Sequence, residues 1–445
     1  MDILTIWDFT LTPFYLLVIL GIAYIIQRNK QNKIIEYKYF TLGLFAKLMG
    51  AIVFCLVYTL YYGGGDTTNY YKGAVALSNL KSVDFTSYWN ILNNDLRYEN
   101  YISFNSETGY PPYYMYKNSI TFSVCRYASL VAELGFNSFI PMSLLIATFS
   151  YIGIWKLYRL FNTLYKGMEK HLAYAILFLP TLIFWGSGIM KDTFVLGATC
   201  WISYNFFKVF IEGKKLAVNS VFMILNLIIV INIKPYVILS LLPGVMLWLN
   251  SAYLKGIAFP WPKLFMVPLL AVIIGAVGFF TINNLSQLMG TYGDVDKAIN
   301  QAQIIQQDLL REGQYGSNNY NIGEIDGTIG GMITLAPIAI FTAIYRPMFF
   351  EIGSPLMVVS VIENSILLVL TTFLLIKVKW RNMIKVIAKE PILLYSLVFS
   401  LFLAFGVGIA GTNFGAMVRY KVPFVPFYFA MLVVIYHLTK PNRSS

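Results

Sequence analysis

The chain has 445 residues, of which 58% are hydrophobic and only 12% are charged. Ordinary water-soluble domains carry about 25% charged residues. The low charged fraction and the mean hydropathy of +0.64 together exclude such a domain. The composition therefore predicts a polytopic membrane protein. The net charge of +12 is then explained by Lys and Arg residues that set the orientation of the chain in the membrane. No nucleic-acid partner is expected.

Apolar runs close to the ~20 residues needed to cross a bilayer predict about eleven transmembrane helices. Each should be helical, because a spanning segment has to satisfy its own backbone hydrogen bonds. The expected fold is thus all-α, a single transmembrane domain over residues 1–445, whose first apolar run is retained as a span because no signal-peptide pattern precedes it. The runs lie at about Leu11–Gln27, Tyr39–Tyr61, Phe139–Leu160, Leu172–Trp185, Phe194–Phe210, Leu216–Ile233, Tyr236–Leu254, Leu264–Ile282, Leu356–Ile376, Ile392–Ala410 and Phe424–Leu438.

Lys and Arg concentrate in alternate connections between these runs. The positive-inside rule assigns such connections to the cytoplasm, which places the N-terminus outside and the C-terminus in the cytoplasm. Two long loops, at 62–138 and 283–355, then lie outside, and long loops are often functional. Within them we expect an interfacial helix at Ile120–Leu134 and an interfacial or re-entrant helix at Met332–Ile344, because a crossing there would force the basic loop Lys377–Lys389 outside.

Ionic and amide side chains recur near the predicted outer ends of the spans. The sequence predicts that they form one outward-facing basin, with Asp66 as the catalytic acid or base and the others binding substrate. Simpler interpretations stay open: a turn residue for Asp66, a helix cap for Asp192, and lysine or arginine side chains that reach the interface. The substrate-binding candidates are Lys191, Asp192, Lys234, Arg346, Glu351, Asn413, Arg419 and Lys421.

A cleft lined by Lys and Arg and flanked by apolar helices suits an amphiphile with an anionic head, since Arg holds phosphate oxygens in a bidentate fork and Lys acts as a point charge. A polyprenyl phosphate or diphosphate that carries a sugar has this shape, and Asp66 could deprotonate an acceptor hydroxyl. His171 and His437 both map to cytoplasmic ends of spans, which excludes a histidine base outside. The three cysteines form no metal-binding pattern, so no metal site is predicted, although a divalent metal held by acids stays an option. Glu363 is expected to be buried, with Arg346 or Lys191 as its partner.

Five short motifs carry a resemblance to known proteins. The sequence resembles the bacterial Wzy- and EpsG-like polysaccharide polymerases and the wider GT-C class of glycosyltransferases that use polyprenyl-phosphate sugars. The resemblance implies a lipid-linked donor, an active site on the outer face of the bacterial inner membrane, an acid in the first outer loop and basic residues for the phosphates. Asp66 departs from it by following the second span, whereas GT-C enzymes usually carry their acid after the first. The motifs are Gly64-Gly65-Asp66-Thr67 with Tyr70, Pro180 to Asp192, Lys234-Pro235-Tyr236, Arg346-Pro347 with Glu351, and Asn413-Phe414-Gly415 with Arg419-Tyr420.

Two other functional classes fit the same composition. One is a transporter or flippase for lipid-linked saccharides, which should show repeats with broken helices near the midplane. The other is a structural subunit of a cell-envelope machine, whose outer loops would dock cell-envelope assembly partners. Membrane lipids are expected to contact the chain in all three cases.

Overall fold

The computed structural model describes residues 3–93, 98–117, 119–254, 295–309, 319–323 and 328–440. Within these ranges all regular structure is helical, and the β-type pairing found there is one isolated bridge between Asn319 and Asn413. In chain order the helices are α1 (Ile6–Lys30), α2 (Phe40–Leu56), α3 (Asp66–Val83), α4 (Phe85–Asn93), α5 (Tyr98–Tyr101), α6 (Ser119–Ser129), α7 (Phe139–Leu164), α8 (Glu169–Ile176), α9 (Pro180–Phe184), α10 (Lys191–Phe206), α11 (Leu216–Ile233), α12 (Pro235–Leu254), α13 (Val295–Leu309), α14 (Ile329–Tyr345), α15 (Met357–Val378), α16 (Trp380–Lys389), α17 (Pro391–Ala410), α18 (Phe414–Tyr420) and α19 (Val425–Thr439).

Eight helices in the described ranges are long and apolar enough to cross a membrane, and the bent pair α18 and α19 brings the number to nine if the pair counts as one span. This agrees with a polytopic, all-α membrane protein. The α18 and α19 axes meet at 67°. The eight are Ile6–Lys30, Ile35–Tyr61, Phe139–Leu164, Lys191–Ile211, Leu216–Ile233, Pro235–Ala252, Met357–Val378 and Pro391–Ala410.

One predicted span in the described ranges, Leu172–Trp185, is not among these eight helices or the bent pair. Leu172–Trp185 is divided between the short helices α8 and α9, because Pro180 begins a new helix and holds the preceding residue in an extended conformation. Met332–Ile344 lies in α14, an apolar helix of 17 residues. The predicted span Leu264–Ile282 lies outside the described residues.

The chain divides into two compact units: unit 1 comprises Met1–Tyr204 and Leu225–Lys234, and unit 2 comprises Asn205–Ile224 and Pro235–Ser445. No composition change in the sequence indicates this division. Each unit has its own buried helix contacts, and each is described separately below.

Unit 1 is built around α2 and α7, with α1 packed on both. The buried carboxylate of Asp8 joins the first turns of α1 and α7, since it accepts hydrogen bonds from the amides of Thr5 at 2.9 Å and Ile140 at 2.8 Å. Helices α7 and α10 approach closely at two glycines: a Cβ added at Gly153 would lie 2.2 Å from the carbonyl oxygen of Gly197. Small residues permit such contacts between membrane helices.

The first long loop of unit 1 is itself helical, and its main contact is between α3 and α6. The segment predicted as an interfacial helix forms α6, where Phe122, Val124 and Ala128 are completely buried. Its apolar side chains are therefore taken up by protein packing.

In unit 2, α17 contacts α12, α14 and α19. Glycine again sets the shortest distance, because a Cβ added at Gly408 of α17 would lie 2.1 Å from the carbonyl oxygen of Ala339 in α14. Trp248, Tyr395, Phe399 and Phe427 fill the space between α12, α17 and α19 with neighbouring aromatic rings.

The substitution of glycine by alanine should have different effects on stability at two positions. Gly153→Ala should lower the free energy of unfolding by about 1–3 kcal/mol, because its methyl group would overlap backbone atoms of α10. Gly21→Ala in α1 meets nothing within 4 Å and should leave stability unchanged or raise it by up to ~1 kcal/mol through helix propensity. Thermal unfolding of both variants in the same detergent checks this; equal melting temperatures would contradict the packing of α7 on α10.

Candidate functional site

Asp66 begins α3 directly after three glycines. Gly63, Gly64 and Gly65 have φ values of 67°, 132° and 138°, which residues with a side chain rarely adopt. Thr68 closes the turn, because its hydroxyl accepts from the amide of Gly65 at 3.0 Å and donates to the carbonyl of Gly65 at 2.8 Å. The glycines therefore set the chain direction at α3, and the Asp66 carboxylate is exposed in the first turn of the helix.

A tyrosine of the same loop lies in the field of Asp66. Burial and the negative charge of Asp66 raise the pKa of Tyr114 to about 12. The Asn69 amide approaches the Tyr114 hydroxyl at 3.4 Å. The phenol thus keeps its proton near neutral pH and can donate a hydrogen bond.

Lys191 and Asp192 begin α10, and their side chains contact different partners. The carboxylate of Asp192 pairs with the Lys234 ammonium at 2.5 Å, and their side chains are only 3% and 5% exposed. The Lys191 ammonium instead donates to the hydroxyl of Thr121 in α6 at 2.9 Å and is half-buried. Lys191 therefore contacts α6, one of the two helices α3 and α6 that form the loop layer of unit 1.

Lys191, which contacts Thr121 of α6, also acts electrostatically on Cys125 of the same helix. Burial raises the pKa of the Cys125 thiol, and the positive charges of Arg126 and Lys191 oppose this rise. Cys125 in turn contributes to the raised pKa of Tyr114. Asp66 and Cys125 thus both act electrostatically on Tyr114, and Lys191 acts on Cys125.

Lys47 fixes the segment that leads into α10, a role that the sequence did not indicate. Residues 185–190 between α9 and α10 are irregular and buried. The Lys47 ammonium of α2 donates to the carbonyl of Leu182 at 2.7 Å and to that of Gly186. These oxygens lie at the C-terminal end of α9, where carbonyls lack partners within the helix and carry a partial negative charge. The sequence feature from which such a contact could have been inferred is a single lysine within the apolar run Tyr39–Tyr61.

In unit 2, Arg346 is held on several sides. Its guanidinium donates to the Glu351 carboxylate, at 2.8 Å from Nε, and approaches Thr342 at 3.4 Å. It also lies over the rings of Tyr320 and Phe414, at 5.3 and 5.2 Å from their centroids. Glu351, and not the predicted Glu363, is therefore the acidic partner of Arg346.

Asn413 caps α18. Its side-chain oxygen accepts from the amide of Ala416 at 3.3 Å, and its side-chain nitrogen donates to Asn319 at 3.0 Å. Tyr320 donates its backbone amide to the carbonyl of Thr412 at 2.8 Å. The predicted binding residue thus has a structural role as cap and as anchor for residues 319–323.

Lys421 is fully buried after α18. Its ammonium donates to the side chain of Asn364 at 2.5 Å and approaches the carbonyl of Ile344, at the C-terminal end of α14, at 3.4 Å. The carboxyl of Glu363 attracts it electrostatically, so Glu363 acts on Lys421. Arg419, two residues earlier, is half-buried.

The predicted residues therefore fall into two groups. Unit 1 brings together Lys191, Asp192 and Lys234, with Asp66 in the adjoining loop layer. Unit 2 contains Arg346 with Glu351, and Asn413, Arg419 and Lys421 on or beside α18. A single basin formed by all of them stays a prediction. Among the described residues no cluster of three or more His, Cys, Asp or Glu could hold a metal ion.

Comparisons of the chain with protein-family models, curated proteins and solved structures found no match.

The buried pair should behave as a coupled unit. Lys234→Met or Asp192→Asn alone should lower the free energy of unfolding by about 3–5 kcal/mol, because each leaves a buried charge without its partner. The double variant should lose less than the sum of the two. Unfolding in mixed detergent micelles, followed by tryptophan fluorescence, measures all three.

The exposed pair between Lys81 and Glu133, 40% and 52% exposed, provides the control. Lys81→Met and Glu133→Gln should have little effect and add independently, because water screens such pairs. Additive effects at Asp192 and Lys234 as well would show that these two side chains do not interact.

Proposed function

We propose that the chain transfers or polymerises sugars from a polyprenyl-(di)phosphate-linked donor in the assembly of a cell-surface polysaccharide or glycan. The observation that carries the proposal is the arrangement in unit 1: a carboxylate set on a three-glycine turn, a protonated tyrosine on which that carboxylate acts electrostatically, and a lysine that contacts α6 of the same loop. These are the groups that glycosyl transfer from a phosphate leaving group needs when histidine is absent.

Asp66 is proposed as the general base. It takes the proton of an acceptor hydroxyl, whose oxygen then bonds to the anomeric carbon of the donor sugar. The bond between that carbon and the phosphate oxygen breaks, and the polyprenyl (di)phosphate leaves with the electron pair. A positioned base of this kind contributes about 10²–10⁴-fold to the rate.

Lys191 is proposed to stabilise the phosphate that leaves. Lys234 is less suited, because its charge is already neutralised by Asp192 in a buried pair. That pair instead anchors the start of α10 beside α11, so that Lys191 is held in place. An ammonium is an effective partner for a phosphate as a point charge, and it acts most strongly where water is scarce.

Arg346, Asn413 and Lys421 each have partners that bind elements of unit 2 together, so their primary role is proposed to be structural. Glu351 belongs with Arg346 for the same reason.

The proposed topology is that derived from the sequence: about eleven spans, N-terminus outside and C-terminus cytoplasmic, in the bacterial inner membrane. The long apolar helices support a membrane location. The distribution of Lys and Arg supports the orientation, which would place Asp66 and Lys191 on the outer face.

A transporter of lipid-linked saccharides is the second candidate. The observation in its favour is the break between α8, α9 and α10, where non-helical backbone is buried among membrane helices. Discontinuous helices of this type form substrate sites in many transporters. A transporter would move labelled lipid-linked saccharide across a liposome membrane without chemical change, whereas the proposed enzyme would lengthen it.

The enzymatic proposal is tested with purified protein and a lipid-linked oligosaccharide, with product length measured by mass spectrometry. Asp66→Asn should lower turnover by about 10²–10⁴-fold, and Lys191→Met should lower it while the melting temperature is retained. Matched controls are Asp84→Asn, an exposed acid whose capping role an amide can fill, and Lys72→Met, an exposed lysine of α3. Full activity of Asp66→Asn, or the same loss in both controls, would overturn the assignment.

A further inference from the structure

A polar groove lies at the opposite, basic end of α7 from the Asp8 contact. Two connections line it, residues 31–36 after α1 and residues 162–169 around the end of α7. The groove has a volume of about 510 Å³, within the range of sites that hold small molecules. It lies entirely within unit 1 and shares no residue with the proposed catalytic group.

Asn162 presents an unused acceptor at this groove. Only 4% of the residue is exposed. Its side-chain nitrogen donates to the carbonyl of Tyr158 at 2.8 Å. Because an amide oxygen carries no proton to donate, this contact fixes which amide atom is the nitrogen and which is Oδ1. The remaining Oδ1 is buried without a hydrogen-bond partner. Buried acceptors are nearly always paired in folded proteins, so Oδ1 of Asn162 is a candidate acceptor for an N–H or O–H donor of a ligand bound at the groove.

The charges around the groove have both signs. Lys33 and Lys166 are exposed, whereas Glu36 and Glu169 are half-buried. Glu169 already accepts from the amide of Gly167 at 3.0 Å through one oxygen. Two ammonium groups with two carboxylates match a ligand that carries one phosphate and one amine, whereas a purely anionic ligand would be repelled by the acids.

An apolar groove begins next to the polar one. It has a volume of about 350 Å³ and lies between α1 and α2, lined by Leu20, Tyr24, Leu42 and Phe45. Gln27 lines this apolar groove, and its side chain hydrogen bonds at 3.3 Å to Gln31, which lines the polar groove. The polar groove, which can hold a lipid headgroup, thus adjoins an apolar groove that can hold an acyl chain.

We propose that the two grooves bind one phospholipid with a phosphoethanolamine headgroup. The phosphate contacts Lys33 and Lys166, and the primary ammonium donates to Glu36 and to Oδ1 of Asn162. One acyl chain lies in the apolar groove against α1 and α2. The bound lipid would tie α1 to the end of α7 at the basic side of the membrane.

The test compares three lipids with identical acyl chains in delipidated, full-length protein. Phosphatidylethanolamine should bind about tenfold more tightly than phosphatidylcholine, because the choline group has the same charge but no N–H for Asn162. Phosphatidylglycerol, which lacks the ammonium, should also bind more weakly. Native mass spectrometry measures the three affinities, and the comparison on the unaltered protein does not depend on the folding of any variant.

Variants then identify the contacts. Asn162→Ala should remove the preference for ethanolamine over choline, and the double variant Lys33→Ser with Lys166→Ser should weaken both lipids. Lys170→Ser, an exposed lysine of the same connection that does not line the groove, should change neither. Equal affinity for the three lipids, preference for phosphatidylglycerol, or full retention of the ethanolamine preference in Asn162→Ala would overturn the proposal.

Discussion

The Lys47 ammonium donates hydrogen bonds to carbonyls at the end of α9. In a membrane interior, where water is scarce, each backbone oxygen needs a partner within the protein, and this contact supplies one. It solves two problems at once. A lysine charge within α2 receives acceptors, and the chain can leave helical geometry for residues 185–190 and stay buried. Because Lys191 and Asp192 follow this segment directly, their positions depend on the contact. The break in the helix is therefore a defined feature of the fold and holds the start of α10.

Most of the other charges within the helices also serve the fold. Asp192 joins α10 to the end of α11 through Lys234, and Arg346 holds Glu351 and two aromatic rings. A buried pair adds little net stability over apolar packing, yet loss of one partner is severe. Such pairs thus favour one arrangement of helices over others. Asp66 is exposed and Lys191 is half-buried, so both lie nearer the surface than the pair of Asp192 and Lys234.

The two proposals use unit 1 at different places and through different chemistry. The enzymatic proposal uses Asp66 on its glycine turn, the phenol of Tyr114 and the ammonium of Lys191 as acid-base and phosphate-binding groups for a sugar donor. Around Asn162 an orphaned acceptor, mixed charges and an apolar slot fit a membrane phospholipid. Both ligands are amphiphiles with a phosphate, and the distinction between them lies in the neighbouring groups: a base for an acceptor hydroxyl in one case, a receptor for an ammonium in the other.

The sequence by itself determined the all-α membrane fold and the approximate position of most apolar helices, because hydrophobicity along one segment decides whether that segment can lie in lipid. It also identified the glycine turn before Asp66, since φ above zero is a local property that Gly63, Gly64 and Gly65 supply. Only the tertiary structure decided that Lys234 belongs to Asp192, Arg346 to Glu351 and Lys47 to the end of α9. The reason is physical: a long, flexible side chain can reach any of several acceptors, and the choice among them is made by helices that pack together from distant parts of the chain.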